Sequence, residues 1–184
     1  MTAAATMLGV IQLLVVQLAA FEAMLLLASG LHKLIRRGRT REVVREFAGV
    51  PRSIAPFAVV TIAAAELLAS LLLWTPSYRA AGGVLAVLIW GGYLALILRA
   101  IAQGRRHVDC GCTFGAAHRP LGVFQAARNM VLIGAALAVA AGSAAEVTGP
   151  VAASQTLAAV VLLALYGALD QVMALTPPRS GELL

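Results

Sequence analysis

Charged residues are scarce in this chain. They make up 12% of its 184 positions, where a soluble domain of this size carries about a quarter. Hydrophobic residues make up 61% of the chain, whose mean hydropathy is +0.91, and they fall in long runs. A soluble all-helical protein could not cover its surface with so little charge, so hydrocarbon is the expected solvent for most of the chain. Cysteine is nearly absent as well. The two present, Cys110 and Cys112, have one residue between them, and a secreted scaffold stapled by disulfides needs several at wide spacing. No basic residue precedes the first apolar stretch, which starts near Met7. A cleavable leader carries a basic n-region and a small-residue cleavage site, so this stretch reads as a retained span. No repeat, low-complexity region or soluble domain stands out.

Acidic residues are outnumbered, 8 against 14 Lys and Arg, for a net charge of +6. A pI near 10.4 invites a nucleic-acid reading. The basic residues, all Arg apart from Lys33, instead sit in short hydrophilic stretches between apolar runs. That is a pattern of topology signals and lipid-facing loops, and it argues against a nucleic-acid partner.

Crossing roughly 30 Å of hydrocarbon takes about twenty mostly apolar residues. Five stretches qualify, at residues 7–31, 54–74, 80–98, 124–145 and 151–175. The expected fold is therefore all-α: a polytopic transmembrane helix bundle of one integral membrane domain, with a core of the first four spans. A basic stretch from His32 to Arg52 separates the first two spans. Pro51 and Pro56 bracket the start of the second, where a first helical turn tolerates the missing N–H. Thr75-Pro76-Ser77 reads as a short turn, and Gly82-Gly83 and Gly91-Gly92 as points of close helix packing. With five spans, every Lys and Arg except Arg79 falls on one side or flanks it. The positive-inside rule then puts the N-terminus in the periplasm and the loop at 103–120 on the cytoplasmic face of a bacterial inner membrane.

That loop holds the chemistry-bearing pair. Cysteines at i and i+2 can join when the chain turns sharply enough to bring their Cα atoms within about 7 Å, and Gly111 supplies that freedom. A small strained ring is more readily reduced than a structural disulfide. Arg105, Arg106, His107, His118 and Arg119 favour the thiolate, while Asp109 opposes it. Two other readings stand beside this one. The cysteines could be small buried hydrophobes, although they lie in a polar segment. Together with His107 and His118 they could instead hold a soft metal such as copper or mercury, the spacing being foreign to structural zinc sites.

Ionisable residues within the spans are costly in hydrocarbon and face the interior, where they pair or carry protons. Glu66 falls near the middle of the second span, and Glu22 and Asp170 lie in the first and fifth. For Glu66 the structural roles, an ion pair with Lys33 or Arg128 or a hydrogen bond to a neighbouring helix, are preferred to a proton relay.

Ser29-Gly30-Leu31-His32-Lys33-Leu34, the lone Glu66, Asp109-Cys110-Gly111-Cys112-Thr113-Phe114-Gly115 and Arg128-Asn129 follow one another in an order that resembles the MauE family of membrane proteins. Many members read Cys-Gly-Cys-Phe-Gly, whereas Thr113 stands before Phe114 here. The resemblance implies a role in maturing methylamine dehydrogenase, a periplasmic enzyme whose small subunit is rich in disulfides, together with a MauD-like thioredoxin-fold partner. It makes Cys110 and Cys112 the redox pair, with Gly111, Lys33, Glu66, Arg128 and Asn129 in supporting places. The expected chemistry is thiol–disulfide exchange through a mixed disulfide. Electron import from the cytoplasm is the preferred scheme. Oxidation by a quinone, the one cofactor the chemistry would admit, is the option if the loop faces the periplasm or folds into the bundle. A non-redox assembly or export factor and a soft-metal carrier are the competing functions.

Overall fold

In hydrocarbon each backbone N–H and C=O must find its partner within the protein, and a helix does this within a single segment. The computed structural model describes residues 3–104, 123–142 and 149–175. They form six helices: α1 (Ala3–Ile35), α2 (Arg37–Ala48), α3 (Ala55–Trp74), α4 (Arg79–Ala102), α5 (Val123–Ala141) and α6 (Gly149–Leu175). All but α2 are long and apolar enough to cross a membrane. The protein is a multi-pass membrane protein, as its hydropathy implies. Its outer surface is greasy: Phe57 is 73% exposed and Leu88 66%, faces that suit lipid and would aggregate in water. Cys110, Gly111 and Cys112 lie outside the described residues, as do His107, His118 and all of the expected loop except Gln103 and Gly104.

Each crossing of the membrane reverses the chain, so consecutive spans run antiparallel. α1 lies along α3, α3 beside α4, α4 along α5, and α5 returns to α1. This closes the four-helix core, and α6 leans on α1 from outside. The centre is built from small residues, Ala19, Ala23, Ala69, Ala86 and Ala136, filled in by Leu26, Leu73, Leu132 and Val139. Helices in lipid gain little from apolar burial and hold together by close contact, which small side chains permit. Gly83 shows how close: a Cβ there would stand 2.7 Å from the backbone nitrogen of Ala140 on α5, and one on Gly82 2.7 Å from that of Leu73 on α3. The expectation of close packing at Gly91-Gly92 is not met, because nothing lies within 4 Å of a Cβ at either position.

Two features depart from the sequence reading. α1 runs on to Ile35 instead of stopping near residue 31, because Lys33 is buried and finds a carboxylate within the bundle. The basic stretch between the first two spans is also not plain loop. Within it α2 turns Thr40 and Phe47 inward, and Phe47 packs against Ile97 and Ala100 of α4. The abundance of arginine hides that apolar face in the sequence. Gly49, at φ +70, ends α2, its N–H bonding to the Arg45 carbonyl. At the opposite end of the bundle Arg79 is buried, and its Nε donates to the Leu73 carbonyl at 3.4 Å. There it meets the electronegative C-terminus of α3.

Replacing Gly83 by Ala forces a methyl group against the backbone of α5 and is expected to cost about 1–3 kcal/mol, read as a lower thermal midpoint in detergent. Gly92→Ala, which adds a methyl in open space, should leave the midpoint unchanged or raise it. Equal losses in the two variants would contradict the packing described for α4 and α5.

Candidate functional site

An ammonium group has three protons to place, and burial leaves water unable to take any. Lys33, near the C-terminal end of α1, gives all three to protein oxygens. They go to Oε1 and Oε2 of Glu66 at 2.8 and 3.0 Å and to Oγ of Ser29 at 2.6 Å. Ser29 lies one turn earlier on the same helix face, so the i, i+4 spacing of α1 creates the pair. The Ser29 hydroxyl in turn donates to Glu66 Oε1 at 2.9 Å, and the Tyr93 hydroxyl of α4 donates to the same oxygen at 2.6 Å. The Lys33 Nζ also stands 5.4 Å from the centre of the Tyr93 ring. Glu66 has no solvent exposure. The cluster thus joins α1, α3 and α4 through one compensated ion pair whose polar atoms are all engaged.

A second buried carboxyl is treated differently. Glu22 of α1, also fully buried, receives one hydrogen bond, from Trp90 Nε1 at 2.7 Å to Oε2, and its Oε1 has no partner. Trp90 and Tyr93 sit one turn apart on α4 with ring centres 5.8 Å apart, so the two aromatic residues each serve one of the two acids.

Arg128 does not join Glu66. Its Nη1 donates to Asp170 Oδ1 of α6 at 2.8 Å, and its guanidinium lies 5.8 Å from the Tyr166 ring. This pair bridges a cavity of about 320 Å³ between α1, α5 and α6. Asn129, the next residue, points inward instead and is almost fully buried, with its Nδ2 donating to the Gln125 carbonyl at 2.9 Å. The expected motif residues therefore divide. Lys33 and Glu66 meet, while Arg128 and Asn129 turn to different sides of α5.

The alternating spans place the C-terminal ends of α1 and α4 and the N-terminal ends of α3 and α5 together. α4 ends at Ala102 and α5 begins at Val123 on that end, so both attachment points of the segment carrying Cys110 and Cys112 lie there. Gly104, at φ +68, closes α4 with its N–H on the Ile101 carbonyl at 3.0 Å. Among the described residues no group of three or more His, Cys, Asp and Glu could hold a metal ion. The ligands considered for a soft metal all lie outside them.

The profile of the family described as methylamine utilisation protein MauE matches residues 10–142. The chain belongs to the MauE family. No curated protein and no solved structure matches the chain. Membership in the MauE family ties the protein to methylamine utilisation, and its five apolar helices set that role in a membrane. The matched region holds Lys33, Glu66, both cysteines, Arg128 and Asn129 but ends before α6. Asp170, the partner of Arg128, therefore lies beyond the family match.

The sequence alone does not pair Tyr93, Trp90 and Asp170 with these partners. A signal existed for the first two. Aromatic residues with a polar tip gather at membrane interfaces, so a Trp and a Tyr at i, i+3 in mid-span suggest buried acceptors opposite. Asp170 was noted, but nothing in the chain order shows that α6 lies across from Arg128.

Breaking the buried pair from one side leaves a stranded charge and is expected to cost about 3–5 kcal/mol. Lys33→Met and Glu66→Leu should each lower the thermal midpoint in detergent sharply, and the double variant should recover much of the loss. A double variant as unstable as the sum of the singles would show that the two groups do not act as a pair.

Proposed function

We propose that this MauE-family protein is a thiol–disulfide redox protein of the bacterial inner membrane, supporting maturation of the disulfide-rich small subunit of methylamine dehydrogenase. Cys110 and Cys112 are its reactive groups and a thioredoxin-fold protein is its partner. The observation that carries the reading is the cysteine pair itself: a Cys-Gly-Cys unit in a polar segment of an otherwise cysteine-free chain, within the family match.

The exchange balances as follows. One thiolate of the pair attacks a sulfur of the partner's disulfide, forming a mixed disulfide and releasing the partner's second thiolate, which takes a proton. The other thiol of the pair, once deprotonated, attacks its neighbour's sulfur, closing the Cys110–Cys112 bond and freeing the partner as a dithiol. Two electrons pass to the partner, and run backwards the same steps take two electrons from it. In this reading the clamp of Lys33, Glu66 and Tyr93 has a supporting part, holding α1, α3 and α4 in register. With its oxygens all engaged, Glu66 suits that supporting place better than a proton relay. The charge bias supports an orientation with the N-terminus in the periplasm and Cys110 at the cytoplasmic face.

A single-cysteine variant, Cys112→Ser or Cys110→Ser, should trap the mixed disulfide with the thioredoxin-fold partner, seen as a reducible adduct in non-reducing gels. Both variants should also lose mature methylamine dehydrogenase. Full maturation in both would rule out redox exchange and favour the assembly-factor reading. Metal copurifying at one ion per chain and lost in both would favour the carrier. Labelling of Cys110 by a membrane-impermeant maleimide, applied to whole cells and to inverted vesicles, decides the face.

A further inference from the structure

The arginines of α2 do not surround the helix evenly. With 3.6 residues per turn, Thr40, Val44 and Phe47 share the face turned to the bundle, and Thr40 and Phe47 are buried there. Glu42 and Glu46 fall on roughly the opposite face. Arg37, Arg41 and Arg45 follow at i, i+4 and i+8 along one flank between the two, and Arg37 and Arg41 are exposed. Arg45 is engaged with Glu42, Nη1 to Oε2 at 2.5 Å, and the Nε of Arg37 donates to the Leu34 carbonyl at the end of α1 at 3.0 Å. These bonds orient the flank, and among the described residues no acid pairs with the terminal guanidinium nitrogens of Arg37 or with Arg41.

The surroundings of this flank are those of a membrane boundary. α2 sits between the ends of two spans, on the bundle end shared by α1 and α3. The nearby chain exposes large apolar side chains, Ile35 by 79% and Ile54 by 52%. Apolar side chains exposed beside a row of arginines suit the headgroup zone, which takes apolar stems below and cations above. The charge is of one sign along the flank, and its complement in a bilayer is phosphate.

We propose that the Arg37–Arg41 flank of α2 is a binding site for the headgroup of an anionic phospholipid, which holds α2 in the plane of the membrane. Guanidinium groups one helical turn apart can share a single phosphate, each with two N–H donors. The proposal uses no residue of the cysteine segment and stands whether or not that pair is a redox centre.

The test uses the full chain, purified in a zwitterionic detergent and stripped of lipid, with bound lipid counted by native mass spectrometry. Phosphatidylglycerol is expected to bind at least tenfold more tightly than phosphatidylcholine, the preference shrinking as salt is raised. Arg37→Gln with Arg41→Gln should remove the preference, each charge contributing about fivefold. Arg37→Lys with Arg41→Lys, which keeps the charge and guards against a folding defect, should retain most of it. Arg99→Gln, a charge removed from the exposed end of α4 on the same end of the bundle, should change nothing. Inorganic phosphate should fail to compete, which separates a lipid headgroup from a soluble anion. Equal binding of the two lipids, an unchanged preference in the double Gln variant, or displacement by phosphate would each overturn the proposal.

Discussion

A charge in hydrocarbon must be answered within the protein, and the contact between Lys33 and Glu66 is the answer on which this structure depends. Either group alone at that depth is costly by a few kcal/mol or more. Together, with Ser29 and Tyr93 filling the remaining positions around the carboxylate, they are neutral and closed to water. The pairing keeps α1 helical through Ile35, past the point where its apolar run ends. It sets the height of α3 against α1, and through Tyr93 the height of α4. The start of α2, and so the placement of its arginines at one end of the bundle, follows from where α1 is made to stop.

The rest of the interior follows two rules that would conflict in a water-soluble protein. Small residues allow helices to touch along their backbones, as at Gly83 against Ala140. Polar groups are spent as specific interhelical contacts: Trp90 with Glu22, Arg128 with Asp170. The first rule supplies adhesion with little direction, and the second supplies register. Glu22 departs from full satisfaction, with one oxygen unanswered. Its contrast with Glu66 shows that the bundle does not treat its two buried acids alike: one is built into an ion pair, the other rests on a single indole N–H.

This arrangement gives the proposed redox chemistry a fixed base. α4 and α5 lie along each other, and Ala126 packs with Ile97 and Ala100 near the two points where the cysteine segment joins the bundle. A family match that spans α1 to α5 and leaves out α6 agrees with a four-helix core carrying the common function. The fifth span, α6, lies beyond that match and supports the core through the contact of Asp170 with Arg128.

Much of this could be read from the residues alone. The length and apolarity of the runs determined the number of spans, because only helices of that length satisfy their backbone across lipid. Chain order and charge bias marked one end of the bundle as different from the other, and the Cys-Gly-Cys unit with its neighbouring motif elements indicated the family. Tertiary structure decided which polar groups meet. Glu66 had two cationic candidates, Lys33 and Arg128, at comparable plausibility, and the choice of Lys33 depends on which helix faces α3. It also decided that Arg128 turns to α6, that Gly82-Gly83 touches a neighbour while Gly91-Gly92 does not, and that a stretch dominated by arginine folds as a helix with a buried Phe47. Hydropathy is a property of each segment, legible along the chain. Partnership in a bundle is a property of rotation and neighbour order, and lipid, being apolar on every side, leaves little trace of either in the sequence.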